Sequence, residues 1–200
     1  MSQWDETPNL VGDVVRLEPL QPHHAEGLLA ASDDDEVFTW QTFHRPTTLA
    51  EAAALIDLYL GRPNTRSWAQ VDQASAEVAG LTTFYDIDPA RRTVAIGSTW
   101  LGRRFWRTGI NTESKLLLLR HAFDELGCAR VVWHVDIKNE RSQAAVDRIG
   151  GVREGVLRKH IIRRDGSWRD TVLYSMIDDE WPAARDALEL KLTTNGKVQT

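Results

Sequence analysis

Hydrophobic positions along the chain switch between a period of two and a period near 3.6. Alternation marks Gly12 to Leu20 as a first strand ending at Pro19. Pro22 then opens a helix to about Ala31. Thr48 starts a second, with Leu49, Ala52, Ala53, Ile56 and Tyr59 or Leu60 on one side, and Gly61 and Pro63 stop it. Three strands follow: Arg66 to Asp72, Glu77 to Asp88 and Thr93 to Leu101, with Pro89 in the turn between the last two. A helix runs from about Gly109 to Leu126 through four consecutive leucines. Ala129 to Ile137 reads as a buried strand, and Asn139 to Gly150 as a helix with Ala144, Ala145 and Ile149 inward. Glu154 to Arg163 and Trp168 to Ile177 form a hairpin across Asp165-Gly166, read as a two-residue turn. Asp178 and Asp179 cap a last helix carrying Trp181, Ala184, Leu188 and Leu192. Residues 193–200 read as a flexible tail after a domain spanning residues 1–192. The order β α α β β β α β α β β predicts one mixed α/β domain with an antiparallel start.

Composition narrows the function more than the fold. The 200 residues, 42% hydrophobic and 26% charged, suffice for one domain with a sizeable core. A net charge of −5 argues against general nucleic-acid binding. No apolar run reaches the length of a membrane span, so no membrane association is expected. The first ten residues lack a basic start and an apolar block, so no signal peptide is expected. Cys128 is the lone cysteine, which fits a reducing, cytoplasmic setting. No metal site is expected.

The stretch RRFWRTGINTESK, from Arg103 to Lys115, carries the chemistry. A strand ends, an arginine-rich turn follows, and a helix begins. A helix start exposes free N–H groups and the positive end of the dipole, which suits an anion. Arg103, Arg104 and Arg107 add charge, Gly109 permits close approach of backbone, and Thr108 and Thr112 offer hydroxyls. These features fit a phosphate or diphosphate cradle, or simply a solvated basic loop. The spacing is neither a P-loop nor a dinucleotide fingerprint.

The same stretch resembles the GNAT N-acetyltransferases, most of all the branch of the ribosomal-protein N-terminal acetyltransferases. That branch has a loop of the type Trp-Gly-x-Gly-Tyr-Ala-Thr-Glu-Ala at the start of its central helix. Here Trp106, Gly109, Thr112 and Glu113 match, while Arg107 replaces the first glycine and Asn111 the small residue. A sub-branch with Asn-x-Glu-x-Lys is closer still, as in Asn111, Glu113 and Lys115. Downstream, Asn139, Ser142 and Gly150 match the family's Asn-x-x-Ser, helix and glycine, and the hairpin resembles its closing one. The resemblance spans about Val14 to Trp181.

The resemblance implies a mixed, mostly antiparallel sheet of about seven strands flanked by helices, splayed between the fourth and fifth. It implies acetyl-CoA as cosubstrate and a primary amine, on a protein N-terminus or a small molecule, as acceptor, joined by direct attack in a ternary complex. Cofactor contacts would come from Trp100, Leu101, Arg104, Trp106, Arg107, Thr108, Gly109, Ile110, Asn111, Thr112, Asn139 and Ser142. Oxyanion stabilisation would come from a backbone N–H near Thr99 to Leu101. Lys115 is either solvent-exposed or near the adenosine-side phosphate. The family's tyrosine acid falls at Val146, which donates nothing, so Ser142 becomes the candidate proton donor to the thiolate. His134, on the strand face opposite Trp133, is a candidate base. Trp40, Phe43 and His44 are candidate walls of the acceptor pocket, or plugs at the domain edge. The acidic run Asp33 to Glu36 either attracts a cationic acceptor or is solvated surface. Two alternatives stand beside this reading. One is a catalytically weak or inactive CoA-binding module with a regulatory or partner role. The other is a phosphate-sensing regulator without thioester chemistry. The oligomeric state, a homodimer included, is open.

Overall fold

The computed structural model describes residues 2–196, with side chains through residue 194. Its strands are β1 (Leu10–Val11), β2 (Val15–Pro19), β3 (Arg66–Asp72), β4 (Val78–Asp88), β5 (Thr93–Leu101), β6 (Arg130–Asp136), β7 (Val152–Ile162) and β8 (Trp168–Ile177). The helices are α1 (Ala25–Ala31), α2 (Leu49–Leu60), α3 (Ile110–Arg120), α4 (Glu140–Arg148) and α5 (Trp181–Gly196). One eight-stranded sheet runs β1-β2-β3-β4-β5-β6-β8-β7. The eighth strand is the short β1, which lies before the strand predicted from Gly12 and was not expected; it pairs with β2 through Leu10 and Leu17.

All neighbours are antiparallel except β5 and β6. A parallel link needs a crossover, and α3 supplies it. Helices α3, α4 and α5 cover one face, where Leu118, Leu119, Val131, Trp133, Tyr174 and Trp181 meet in the larger core. Helices α1 and α2 cover the other with Leu28, Phe38, Ile56, Tyr59, Leu81 and Trp100.

Four local expectations change. The central helix converts after Arg120 into a π turn, His121–Glu125. In α4 the buried positions are Val146 and Ile149, while Ala144 is exposed. The hairpin turn holds three residues, Arg164 to Gly166, because Arg163 N–H still bonds Ser167 O at 2.8 Å and Gly166 takes the left-handed φ of 80°. Helix α5 continues through Gly196, beyond the predicted start of the tail, and residues 197–200 lie outside the described residues. Among the described residues no helix is long and apolar enough to cross a membrane.

Candidate active site

Strands β5 and β6 pair only through Thr93–Arg130, Val94–Val131 and Ala95–Val132. Beyond Ala95 they part. The cause lies in β5: Ser98 takes a left-handed φ of 48°, and the β4–β5 register slips between Leu81 and Thr83. Such a bulge bends the strand and sharpens its twist. Gly97, Ser98 and Thr99 are half-exposed between buried flanks, so the cleft opens at the bulge. Two carbonyls of the diverging edge accept from side chains instead of β6. Thr99 O accepts from Gln41 Nε2 at 3.2 Å, and Leu101 O from Trp106 Nε1 at 2.8 Å. Trp100 O accepts from the buried Gln70 Nε2 at 3.2 Å.

At the mouth of the cleft sits the start of α3. Gly109 is its N-cap, at an ordinary φ of −68°. Thr108 Oγ1 donates to Phe105 O at 2.7 Å and accepts the Ile110 amide at 3.3 Å. The amides of Gly109, Asn111 and Thr112 have no acceptor among the described residues. They are the unsatisfied donors that make a helix start an anion site. The left-handed residue of this loop is Arg107, with φ 62°. That accounts for the family's glycine at this position, since a side chain there is strained. Arg107 is exposed and has no carboxylate partner among the described residues. Its neighbours do: Arg104 pairs with Glu77 at 3.3 Å, and Arg103 with Asp34 and Glu36.

The acidic run therefore serves the loop. Asp33 Oδ1 accepts the Arg103 amide at 2.9 Å, and Asp35 pairs with Arg45 at 2.7 Å. Arg141 of α4 stacks on the Trp106 ring, 3.8 Å from its centroid, and so spans the cleft mouth.

Helix α4 faces the same cleft. Asn139 caps it through Oδ1, which accepts the Ser142 amide at 3.1 Å. The Ser142 hydroxyl is half-exposed and makes no hydrogen bond among the described residues. Val146 is buried against the core.

His134 lies on the β6 face opposite the core residues Val131, Trp133 and Val135. Its Nδ1 is 2.8 Å from the Tyr85 hydroxyl, and its ring centroid is 5.6 Å from that of His160. Tyr85 comes from β4 and reaches β6 by crossing β5 at Gly97, where any Cβ would lie 2.7 Å from the ring. Burial, then the nearby His160, holds the His134 pKa below the ordinary 6.5, so the ring is neutral at pH 7. Burial raises the Tyr85 pKa, so its phenol stays protonated. Tyr85 carried no signal in the sequence, because its contact needs three strands in register.

Two charged residues of α3 behave unlike surface groups. Glu113 is buried, and its carboxylate accepts the amides of Asp13, Val14 and Val15 at 3.0, 2.7 and 2.7 Å. Gly12 must be glycine here, since a Cβ would stand 2.4 Å from that carboxylate. Lys115 is buried under the β5 bulge, not exposed and not at the loop into α3.

On the acceptor side, Phe43 packs edge-on to Phe38 and Tyr59 at 5.9 and 6.0 Å, as an edge plug would. His44 Nδ1 contacts Arg164 at 3.2 Å, and Trp40 is half-buried. Arg164, at the hairpin tip, also donates to Phe38 O and Phe43 O at 2.9 and 2.8 Å, tying this loop to the hairpin. Phe43 and His44 line a hollow of about 290 Å³ with Leu55 and Leu58 of α2 rather than with β5 or β6. Elsewhere, Glu18, His23 and His24 bring potential metal ligands within 4.8 Å of one another. His24 Nδ1 accepts the Gln21 amide at 3.0 Å, so Nε2 holds the proton facing Glu18 and has no lone pair for a metal.

Residues 15–152 match the family model described as the acetyltransferase (GNAT) domain. The chain belongs to the GNAT acetyltransferase family. A GCN5-related N-acetyltransferase from Brucella melitensis shares its structure with a TM-score of 0.89 and 35% identity, over 92% of this chain and 85% of that one. YdaF of Bacillus subtilis (strain 168), provisionally named a ribosomal N-acetyltransferase, is 33% identical over 104 residues, which cover 52% of this chain and 56% of YdaF. The match thus spans little more than half the length of that relative. The microcin C7 self-immunity acetyltransferase MccE, crystallised with acetyl-CoA and AMP, has the same fold at a TM-score of 0.73 and 24% identity, over 86% of this chain and 97% of MccE. The splayed sheet and the loop into α3 are thus those of a GNAT acetyltransferase.

Proposed function

We propose that this domain, residues 1–192, transfers an acetyl group from acetyl-CoA to a primary amine on a protein N-terminus or a small molecule. One observation carries the reading. The separation of β5 from β6 opens beside the three unsatisfied amides of Gly109, Asn111 and Thr112. A cosubstrate with an anionic diphosphate and an extended amide-bearing arm ending in a thioester matches both features.

The diphosphate binds those amides, and Arg107 adds a charge-assisted bond from a guanidinium not already paired. Arg104, Trp106, Thr108 and Ile110 shape the loop, while the β5 edge at Trp100 and Leu101 receives the arm, and Asn139 and Ser142 close it from α4. Leu101 O already accepts from the Trp106 indole, and its second lone pair is left for the arm.

The acceptor nitrogen, neutral, attacks the thioester carbon. A C–N bond forms and the carbonyl electron pair moves to oxygen, where a β5 amide between Thr99 and Leu101 receives it. His134, kept neutral by burial, takes the proton the nitrogen loses. The pair returns, the C–S bond breaks, and Ser142 supplies the proton the thiolate gains. Solvent restores both groups, so the two proton transfers cancel. Holding the reactants in line contributes up to roughly 7–11 kcal/mol.

Incubation with acetyl-CoA and a panel of amines, with products identified by mass spectrometry, tests this. Acetylated amine and free CoA in equal amounts are expected. Tight CoA binding without turnover of any amine would favour the silent CoA-binding module, which Val146 in place of the tyrosine already suggests.

A further inference from the structure

The buried Lys115 has no part in the scheme above, and its surroundings are unusual for a lysine. Its Nζ donates to Thr99 Oγ1 at 2.8 Å and to Thr82 Oγ1 at 3.2 Å, and the two hydroxyl oxygens are 2.9 Å apart. No carboxylate joins them among the described residues. Glu113 is committed to the backbone of residues 13–15, and His121 pairs with Glu125 at 2.6 Å. Strand β3 contributes the neutral Gln70, held by Ser114 Oγ at 2.7 Å, while β4 contributes Thr82 and β5 Thr99. No titratable group from these strands faces the ammonium. A buried cation without an anion is costly, and natural structures retain one where it has a task.

Hydrogen-bond accounting shows what the arrangement does to Thr99. A hydroxyl has two lone pairs and one proton. Either hydroxyl could donate to the other, but Thr82 is fully buried with no further acceptor among the described residues, so its proton goes to Thr99 Oγ1. Thr99 then accepts from both Lys115 and Thr82, and both lone pairs are filled. Its proton must point elsewhere. The sole other acceptor in reach among the described residues is Gly97 O, at a long 3.4 Å. Thr99 is also one of the three half-exposed residues of the bulge, at the open edge of the cleft.

We propose that Lys115 is a positioning residue for acetyl transfer: it fills and polarises the Thr99 hydroxyl, which donates to the thioester carbonyl oxygen as that oxygen gains charge. The inference rests on the reading of the cleft as the thioester site. No proton moves in this contact. Thr99 keeps its proton while the carbonyl pair shifts to oxygen and returns, and the C–N and C–S changes are those described above. The ammonium works only while charged. Burial alone lowers its pKa to about 7, so its contribution is present at low pH and fades as pH rises through that value.

The test begins without an acceptor. The full chain is loaded with [1-13C]acetyl-CoA, and the infrared carbonyl band is recorded from pH 6 to 9 for wild type, Lys115→Met and Thr99→Val. Methionine fills the space without a charge and valine matches threonine in shape, so both variants are expected to fold. In wild type the bound carbonyl is expected at lower frequency than free acetyl-CoA, with the shift shrinking as pH rises. In both variants it returns toward the free value and loses its pH dependence. With an amine present, kcat is expected to fall about 100-fold in Thr99→Val and about tenfold or more in Lys115→Met, with KM little changed. The double variant should be no worse than Thr99→Val, because Lys115 acts through that hydroxyl. Acetyl-CoA that binds with the same carbonyl band in all three proteins would overturn the inference and leave the proposed function standing. Failure of wild type to bind acetyl-CoA would remove both.

Discussion

Ser142 and Arg107 show how far single residues were legible. The Ser142 hydroxyl was located by its place in the Asn-x-x-Ser pattern, and the fold leaves it without an internal partner beside the cleft. Ser142→Ala is expected to lower kcat by about 100-fold with the CoA dissociation constant unchanged, as read by steady-state rates and calorimetry. An unchanged rate would remove Ser142 from the chemistry. Arg107 looked like a plain departure from glycine. Its φ of 62° could not be read from residue type, because a left-handed arginine is set by the chain on either side. Arg107→Gly removes that strain and is expected to raise stability by about 1 kcal/mol in urea unfolding. The same change deletes an unpaired charge beside the free α3 amides, so CoA binding should weaken. Opposite signs for the two readouts are the signature; weaker folding would contradict the strain.

At the scale of elements, the periods of two and 3.6 located nearly every strand and helix, since each buries one face of a continuous pattern. What they could not show is which charged residues of α3 turn inward. Glu113 and Lys115 sit two apart and both enter the interior, one against the β1–β2 turn and one under the β5 bulge. Those partners lie far away in sequence, and a charge pattern read along the helix gives no sign of them. The two differ in sign of effect. Glu113→Ala leaves three amides without an acceptor and is expected to cost about 3 kcal/mol or more, measured by chemical denaturation. Lys115 costs stability. Its folded pKa of about 7 lies below the unfolded value of 10.5, so the unfolded chain binds the extra proton between those pH values. Stability therefore rises with pH from about 7 toward 10.5, and the full penalty persists below 7. Lys115→Met should lack this rise, and at pH 6.5 should be more stable than wild type by a few kcal/mol, roughly. Parallel pH profiles for the two proteins would refute the burial.

The whole molecule is a sheet with one deliberate fault. The resemblance to the GNAT family implied it, and the pairing of β5 with β6 stops after Ala95 and Val132. Its tuning was hidden. The Tyr85–His134 contact across Gly97, the Arg141–Trp106 stack over the cleft mouth and the Arg164 clamp on the 38–44 loop each join segments that only the folded sheet brings together. A crystal structure of the complex with acetyl-CoA tests the account most directly. The diphosphate should lie on the amides of Gly109, Asn111 and Thr112, with the thioester between β5 and β6 near Thr99 and the Ser142 hydroxyl close to sulfur. Coenzyme bound on any other surface, or a cleft without coenzyme at saturating acetyl-CoA, would contradict it.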